Sequence, residues 1–372
     1  WTYFFYGGLT MPWWPIWLSS QGLNEIEIGD LLAFERIFTV AVSLIIAHYS
    51  DRTGHRRKIL ILFAIGMTVS YALFEAATVL WHFFVIAAFS AICRSPLIPL
   101  SDSITMTHVR REEAEYGKVR LWGTISFILG SYAGGGILAY LSDDIILWAI
   151  VISCVFVVVG FYVLPDTRSE GVAPYFTAGI RLAGRPIFIL FVITVALSMT
   201  SHTAVYVFGS LYWRSEGISE ATISFFWAFG AASEIFVFWK GAALLKRFGP
   251  IILIFSGAVA GVLRWYLTGI STEIWILTIA QALHALTFGA AHLGGMTFIS
   301  RVAPKELLTT AQTLYTALAM GAAMALMTPM TGRLYQMIGP EGTFFAMMVL
   351  SGASAAFALM LLWLWNGKQI SV

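Results

Sequence analysis

The chain has 372 residues, of which 59% are hydrophobic and 11% are charged, and its formal net charge is +2. Soluble domains carry charges on about a quarter of their residues, so this composition excludes a soluble enzyme with a polar surface. The mean hydropathy of +0.81 indicates a protein that faces lipid over most of its surface. The small net charge gives no indication of nucleic-acid binding.

Twelve apolar stretches are each long enough to cross a bilayer as a helix, which takes about 20 residues. These runs are continuous, whereas the strands of a transmembrane barrel alternate in polarity. In chain order, spans 1 to 12 cover residues 2–19, 28–48, 59–79, 82–104, 119–141, 145–164, 187–211, 221–243, 250–270, 273–299, 307–334 and 343–365. We predict an all-α membrane protein with two six-helix bundles, at residues 1–165 and 186–372, joined by a linker at residues 166–185.

Lysine and arginine are concentrated in alternate loops. The loops after spans 2, 4, 6, 8 and 10 are basic, whereas the loops between them carry acids such as Glu25, Asp143 and Glu273, and Arg214 is the main exception. Because cytoplasmic loops carry the excess of basic residues, we predict that the linker and both termini are cytoplasmic. Two bundles with a cytoplasmic linker are typical of transporters whose halves rock about a central cavity.

Ionisable residues at mid-span cost at least about 2.5 kcal/mol each and mark functional sites in membrane proteins. Three consecutive spans of the second half carry them: Glu234 on span 8, Arg264 on span 9, and His284 with His292 on span 10. An acid, a permanent cation and imidazoles that titrate near neutral pH can form a proton relay. Arg264 close to Glu234 would favour the ionised carboxylate, and its withdrawal would favour proton uptake.

The same residues also fit a static role. Glu234 and Arg264 could form a buried ion pair that fixes helix packing, and each histidine could be a hydrogen-bonding group of the core. His284 and His292 are eight residues apart, which in a regular α-helix is about 800° of rotation, or about 80° past two full turns. They can therefore share a broad face of span 10.

In the first half, Glu35 and Arg36 stand side by side in span 2, and Arg94 lies in span 4. Adjacent residues of a helix point about 100° apart, so Glu35 and Arg36 must find partners on other helices. Either Glu35 pairs with Arg94 and Arg36 meets a substrate anion, or the two arginines exchange these roles. We predict that all three residues contribute to substrate binding.

Span 4 also contains Pro96 and Pro99, between Arg94 and Asp102. Proline removes a helical hydrogen bond, so we predict a break or kink at this point. Non-helical backbone inside a membrane is tolerated where it lines a cavity or is packed in protein, which favours a binding site beside these residues. Asp102 could belong to that site, or it could pair with Arg120 at the cytoplasmic end and form a gate. We assign the gating role to Asp102 and Arg120.

Aromatic residues make up 15% of the chain. Tyr206, Trp227 and Trp265 on spans 7, 8 and 9 could stack on a planar substrate, although packing against lipid would explain any single ring equally well. Tryptophans at the ends of spans often form an interfacial belt. We expect some of the tryptophans of span 1 in the outer belt, among Trp13, Trp14 and Trp17.

The segment AHYSDRTGHRRK at residues 47–58 resembles the loop motif of the major facilitator superfamily. In that motif a small residue precedes an Asp-Arg pair, a glycine and several basic residues. Ala47 stands where glycine is usual, and His55 replaces one base. An acid at the end of span 2 could pair with bases or cap the next helix and so hold one gate state. The resemblance implies gating roles for Asp51, Arg52, Gly54 and Arg56.

Further segments narrow the resemblance. The chain is similar to the phenylpropionate permease family, near the oligosaccharide–proton and nucleoside–proton symporters, in SPLIPLSDS (95–103), YGKVRLWG (116–123), ASEIFVF (232–238), GVLRW (261–265) and QALHALTFGAAHL (281–293). This resemblance implies a monomeric transporter of the major facilitator fold in a bacterial inner membrane, whose partners are a small-molecule substrate and lipid. The order acid, arginine, histidine is likewise similar to the proton site of sugar–proton symporters in the superfamily.

We therefore predict a secondary transporter, not an enzyme, that takes up an aromatic carboxylate of phenylpropionate type with a proton, by alternating access. No Walker motif occurs in the sequence, so ATP is not the predicted energy source. The proton is the expected coupling ion, with no cofactor, metal or nucleic acid. The alternatives are a proton symporter of a neutral nucleoside or sugar, and a non-transporting receptor or assembly factor with this fold.

Overall fold

The computed structural model describes residues 1–53, 56–110, 116–164, 181–304 and 307–369. The predicted linker lies outside the described residues over 166–180. The helices of the first half are α1 Thr2–Ser20, α2 Glu25–Thr53, α3 Arg56–Leu73, α4 Leu80–Arg94, α5 Leu97–Arg110, α6 Tyr116–Tyr140 and α7 Ile145–Val163.

The helices of the second half are α8 Pro186–Thr200, α9 Thr203–Ser215, α10 Glu220–Phe248, α11 Pro250–Ile270, α12 Ile274–Ala282, α13 Ala291–Val302, α14 Leu308–Tyr315 and α15 Ala323–Leu364. Two π-helical turns, Ala285–Ala290 and Thr316–Ala322, precede α13 and α15. Within α15, Gly339 has a φ of 74°, which glycine adopts readily, and Pro340 follows it. This kink separates the predicted spans 11 and 12.

Each predicted span coincides with one or two of these helices, which confirms the all-α membrane class. Among the described residues, nine helical stretches are long and apolar enough to cross a membrane. The last stretch, Thr310–Leu364, contains both span 11 and span 12. Spans 1 and 2 correspond to α1 and α2, which are not among the nine.

The chain divides into two compact units. Unit 1 comprises Trp1–Val172 and Gly209–Ala228, and unit 2 comprises Ala173–Phe208 and Phe229–Val372. Residues 209–228, the end of α9 and the start of α10, thus belong to unit 1 although they follow the linker in sequence. The predicted bundle boundaries at residues 165 and 186 stay a prediction, because the compact units group residues by space and not by chain order.

In unit 1, α1 packs closely on α6 through the glycines of GSYAGGG at residues 130–136. A Cβ atom at Gly130 would collide with the carbonyl oxygen of Phe5, and one at Gly134 would collide with the Trp13 indole. Small residues allow such backbone approach between membrane helices. Trp13 in turn donates its indole N–H to the Ser131 carbonyl oxygen at 2.9 Å.

The tryptophans of α1 contradict the expected interfacial belt. Trp13, Trp14 and Trp17 are all buried inside unit 1. Trp14 stacks on Trp17 with ring centroids 4.7 Å apart, and it packs edge-on against Phe74 at 4.9 Å. The belt prediction is wrong here because a large amphipathic ring near the end of a span suits the bundle interior as well as the lipid interface.

We expect Gly130→Ala to lower thermal stability and Gly136→Ala to preserve or raise it. Overpacking a tight contact costs typically about 1–3 kcal/mol. Among the described residues nothing lies within 4 Å of a Cβ atom at Gly136, and alanine is favoured over glycine in a helix by about 1 kcal/mol. The midpoint of thermal unfolding in detergent compares both variants with wild type. Equal midpoints would show that stability does not depend on the close approach of α1 and α6.

Arg214, the exception among the predicted outer loops, is neutralised within unit 1. Its Nη1 and Nη2 each donate to an Asp143 carboxylate oxygen at 2.9 Å, and its Nε donates to Glu220 at 3.2 Å. Ser224 donates to the Ser131 carbonyl oxygen at 3.1 Å. These contacts tie residues 209–228 to α6 and the loop after it, which explains their place in unit 1.

Candidate functional site

A buried cluster of polar side chains surrounds Arg264 of α11 in unit 2. Arg264 is 2% exposed, and its Nη1 donates to His284 Nδ1 at 2.8 Å and to Thr287 Oγ1 at 2.9 Å. Its Nη2 donates to Gln281 Oε1 at 3.0 Å, and the guanidinium carbon lies 4.5 Å from the centre of the Trp265 ring. Hydrogen bonds and contact with an aromatic face both stabilise a cation away from water.

His284 links Arg264 to Glu234 of α10. A guanidinium can only donate hydrogen bonds, so His284 Nδ1 must accept, and the ring hydrogen is on Nε2. That nitrogen lies 3.1 Å from Glu234 Oε1 and therefore donates to the carboxylate. His284 is neutral in this arrangement, because a second proton on the ring would face the Arg264 cation across 2.8 Å.

The structure thus brings together three of the residues predicted to couple protons. The sequence predicted that Arg264 would act directly on Glu234. In the structure, the hydrogen bonds from Arg264 reach the carboxylate through His284. The histidine is therefore the central member of the cluster, and Arg264 fixes the tautomer that it presents to the acid.

His202 of span 7 extends the cluster; it is an ionisable residue inside a membrane span, but no role was predicted for it. It lies in the turn between α8 and α9 and is 1% exposed. Its Nδ1 donates to the Ser198 carbonyl oxygen at 3.0 Å, so its Nε2 accepts from the Thr287 hydroxyl at 3.1 Å. The signal that could have revealed it is the polar run SMTSHT at residues 198–203, inside an otherwise apolar span.

A π-helical turn at Ala285–Ala290 positions part of this cluster. The turn begins directly after His284 and contains Thr287. Such turns are rare and occur frequently at functional sites. The rings of His284, Phe288 and His292 form a stacked row along this segment, with successive centroids 5.4 and 5.7 Å apart.

The stacked row corrects the geometry expected for span 10. His284 and His292 share a face as predicted, but the π turn and not a regular α-helix sets their relation, so the 80° estimate does not apply. His292 lies at the far end of the row, with its ring 6.4 Å from that of Tyr315. Its role in proton coupling stays a prediction.

A second buried pair of charges lies in unit 1. Glu35 of α2 is 3% exposed, and its Oε2 accepts a hydrogen bond from Arg94 Nη2 at 2.7 Å. Arg94 Nη1 lies 3.4 Å from the Tyr6 hydroxyl, which is hydrogen-bonded to the Tyr71 hydroxyl at 2.7 Å. Of the two predicted alternatives, the structure therefore shows Glu35 paired with Arg94. Arg36, one position further along α2, is half-buried.

The predicted break in span 4 is confirmed beside this pair. α4 ends at Arg94 and α5 begins at Leu97, so Ser95 and Pro96 form the turn. Pro96 has no N–H for the carbonyl oxygen of Ile92, and the Ser95 hydroxyl donates to that oxygen at 2.9 Å. The break leaves Arg94 at a helix C-terminus, where the backbone carbonyl groups favour a cation.

Two of the three aromatic residues predicted to contact substrate flank His202. The ring of Tyr206 lies 5.5 Å from the imidazole, and that of Trp265 lies 5.2 Å from it. Trp265 is fully buried, and its indole N–H donates to two serine hydroxyls. Trp227 belongs to unit 1, where it donates to the Ser210 hydroxyl at 2.9 Å. Substrate contact by these rings stays a prediction.

The predicted gate is described only in part. Arg56 is buried at the start of α3, and Asp102 is half-buried on α5. The other predicted gating residues lie outside the described residues or side chains: Asp51, Arg52, Gly54 and Arg120. Gating by this segment stays a prediction.

Comparison with known proteins identifies the class to which these two clusters belong. The model of the MFS_1 like family matches residues 1–346. The chain belongs to this family. It is therefore a membrane transporter of the major facilitator superfamily and not an enzyme, as predicted.

Among curated relatives of this transporter, the "Probable 3-phenylpropionic acid transporter" of Escherichia coli (strain K12) is 30% identical over 93% of this chain and 92% of that protein. This likeness confirms the predicted resemblance to phenylpropionate permeases. The "Maltose permease" of Geobacillus stearothermophilus is 25% identical over 94% of this chain and 90% of that protein. The relatives thus include proteins named for an acid and for a neutral sugar.

Solved structures confirm the major facilitator fold of the transporter. The crystal structure of nucleoside transporter NupG has a TM-score of 0.85 and 15% identity, covering 99% of this chain and 97% of that chain. A bacterial homolog to the human lysosomal transporter Spinster has a TM-score of 0.76 and 15% identity, covering 97% and 94%. At these identities the likeness shows the fold alone.

Proposed function

We propose that this transporter is a proton-coupled symporter of an aromatic monocarboxylate of phenylpropionate type, working by alternating access. The observation that carries the proposal is the hydrogen-bonded chain from Glu234 through His284 to the buried Arg264. In this chain Glu234 is an acid that can take a proton, and it is bonded to the neutral imidazole of His284. The Arg264 cation fixes the tautomer of that imidazole. The name of the relative that is 30% identical supports the substrate class.

In this proposal Glu234 carries the proton. Its side chain is 20% exposed, so a proton can reach it, whereas Arg264 is closed off. The ionised carboxylate accepts the hydrogen bond from His284 Nε2, and the carbonyl oxygen of the protonated acid can accept the same bond. The imidazole therefore keeps one tautomer through the cycle, and the proton is gained and lost at the carboxyl group alone.

Arg94 is the proposed contact for the carboxylate of the substrate. It is the more open member of its ion pair, with a side chain 22% exposed against 3% for Glu35. The Tyr6 hydroxyl lies 3.4 Å from Arg94 Nη1, the Tyr6 ring packs on that of Tyr71 with centroids 5.7 Å apart, and Tyr71 packs on Trp14 at 5.3 Å. A cation beside aromatic rings matches a carboxylate attached to a phenyl ring.

The proposed setting is a bacterial inner membrane, with both termini in the cytoplasm and the monomer as the working unit. With the Glu234 proton alone, uptake of a monocarboxylate would move no net charge. Uptake of a neutral sugar or nucleoside is the second candidate, favoured by the maltose permease among the relatives. In that case Arg94 and Arg36 would donate to hydroxyl groups.

Proton uptake by proteoliposomes tests the proposal. External pH is followed as 3-phenylpropionate, a nucleoside and a disaccharide are added in turn. We expect alkalinisation with the carboxylate alone, and its loss in Glu234→Gln, because a permanently neutral side chain cannot release the proton that resets the transporter. Exchange of labelled for unlabelled solute moves no net proton, so it should survive in this variant and show that it is folded.

Glu273→Gln is the matched control, since it makes the same substitution at an exposed acid. It should alkalinise the medium as wild type does. Alkalinisation with the nucleoside or the disaccharide, and not with the carboxylate, would show that the substrate is a neutral solute. Undiminished proton uptake in Glu234→Gln would exclude Glu234 as the proton carrier.

A further inference from the structure

Glu35 is a buried carboxylate that is hydrogen-bonded through one of its two oxygens among the described residues. An ionised carboxylate has two oxygens with about four lone-pair sites between them. Oε2 accepts from Arg94 at 2.7 Å, whereas Oε1 is buried and has no hydrogen-bond partner among the described residues. A buried charge that is satisfied on one side alone is costly, so the ionised form of Glu35 depends on Arg94.

The surroundings of Glu35 offer little else to hold a negative charge. The phenols that approach the pair are neutral near pH 7. They also hydrogen-bond each other, at 2.7 Å. On α2 the nearest charged groups are Asp30 and Arg36, and the titratable or charged groups on the helices packed against α2 include Tyr6 (α1), Tyr71 (α3), Arg94 (α4) and Asp102 (α5).

We propose that a substrate carboxylate competes with Glu35 for Arg94, so that binding one monocarboxylate makes Glu35 take up one proton. The inference rests on the proposed function, which takes the solute to be a carboxylate. Arg94 is the more exposed member of the pair, with 22% of its side chain accessible, whereas Glu35 is enclosed. Two carboxylates beside one guanidinium would leave an uncompensated negative charge in a low dielectric, and one proton removes it.

The charges balance in this exchange. Before binding, the Arg94 cation and the Glu35 carboxylate sum to zero. After binding, the Arg94 cation pairs with the substrate carboxylate, and Glu35 is neutral because it holds a proton taken from solution. The proton is additional to the one on Glu234, so two protons accompany each monocarboxylate and one positive charge enters per cycle. Membrane potential then drives accumulation together with the pH gradient.

Calorimetric titration in detergent tests the exchange, because binding there involves no gradient. Repeating the titration in buffers with different heats of ionisation gives the number of protons taken up. When wild-type protein binds 3-phenylpropionate, it should take up about one proton more than when it binds 3-phenylpropanamide, which lacks the carboxylate. The Glu234→Gln variant cannot contribute its own proton, so its uptake of about one proton isolates Glu35. The double variant Glu35→Gln/Glu234→Gln should take up none.

Each outcome decides one point. Equal proton uptake with the acid and the amide in wild type overturns the exchange and leaves the proposed function standing. Uptake that persists in the double variant also overturns it, since the proton is then held elsewhere. Failure of wild type to bind the carboxylate overturns the proposed function, and the exchange with it. The comparison of acid and amide in wild type counts the additional proton, and its retention in Glu234→Gln assigns it to a group other than Glu234.

Discussion

Replacing Arg94 by glutamine should abolish high-affinity binding of 3-phenylpropionate and leave binding of 3-phenylpropanamide nearly unchanged. The amide presents the same ring without the charge that Arg94 is proposed to contact. Removing one partner of a buried charged pair costs about 2–5 kcal/mol, which corresponds to a loss of affinity of about 30-fold or more. Dissociation constants for both compounds, measured on the same protein preparation, give the ratio directly.

Arg94→Gln also leaves Glu35 without its partner, which could weaken the fold by itself. The double variant Glu35→Gln/Arg94→Gln removes both charges and should fold, bind the amide and still fail to bind the acid. Arg94→Lys keeps the charge but loses the planar fork, so we expect an intermediate affinity. Arg301→Ala, at an exposed cation of α13, should behave as wild type. Wild-type affinity for the acid in the double variant would exclude Arg94 as the carboxylate contact.

Replacing Arg264 by glutamine or by lysine should stop net proton-coupled uptake. Arg264 donates to His284, Thr287 and Gln281 from two nitrogens of one rigid plane. A lysine ammonium is a single point donor on a flexible stem and cannot reproduce this geometry. Each acceptor left unsatisfied costs about 1–3 kcal/mol, so both variants should also unfold at lower temperature. Coupled uptake, solute exchange and the thermal midpoint are measured together.

Two variants of His284 separate its two contacts. Asparagine places its oxygen near the position of Nδ1 and can keep the bond to Arg264, whereas glutamine reaches the position of Nε2 and can keep the bond to Glu234. We expect His284→Asn to retain more thermal stability and His284→Gln to retain more coupled uptake. Wild-type coupled uptake in Arg264→Lys, or the reverse order of the two His284 variants, would contradict the role assigned to the tautomer.

Most of the fold could be predicted because a bilayer requires long apolar runs, and these runs are visible in the sequence. The break at Pro96 was equally visible, since proline cannot donate to the preceding turn. The π turns at Ala285–Ala290 and Thr316–Ala322 left no such signal, because their residues have the hydropathy of any membrane helix. Burial of the α1 tryptophans depended on the rotation of a helix about its axis, which composition does not determine.

Some of the residues that form the unit 2 cluster could be predicted from the sequence. Which of them contact each other could not be predicted. Glu234, Arg264 and His284 were identifiable because ionisable groups are costly in apolar spans. The central place of His284 depends on the rotation of three helices and on the adjacent π turn. Thr287 was missed because threonine is ordinary in a membrane helix, and nothing local separates it from the half-buried Thr278 on the same span.

The assignment of residues 209–228 to unit 1 has a consequence for synthesis of the chain. When the ribosome reaches the linker, α1 to α7 have been made, yet Asp143 still lacks Arg214, and the Ser131 carbonyl oxygen still lacks the Ser224 hydroxyl. Unit 1 therefore cannot be completed until α9 and α10 emerge. Helices α1 to α7 therefore remain incompletely folded in the membrane while synthesis continues. Folding of the first half ends only after translation of the second half is well under way.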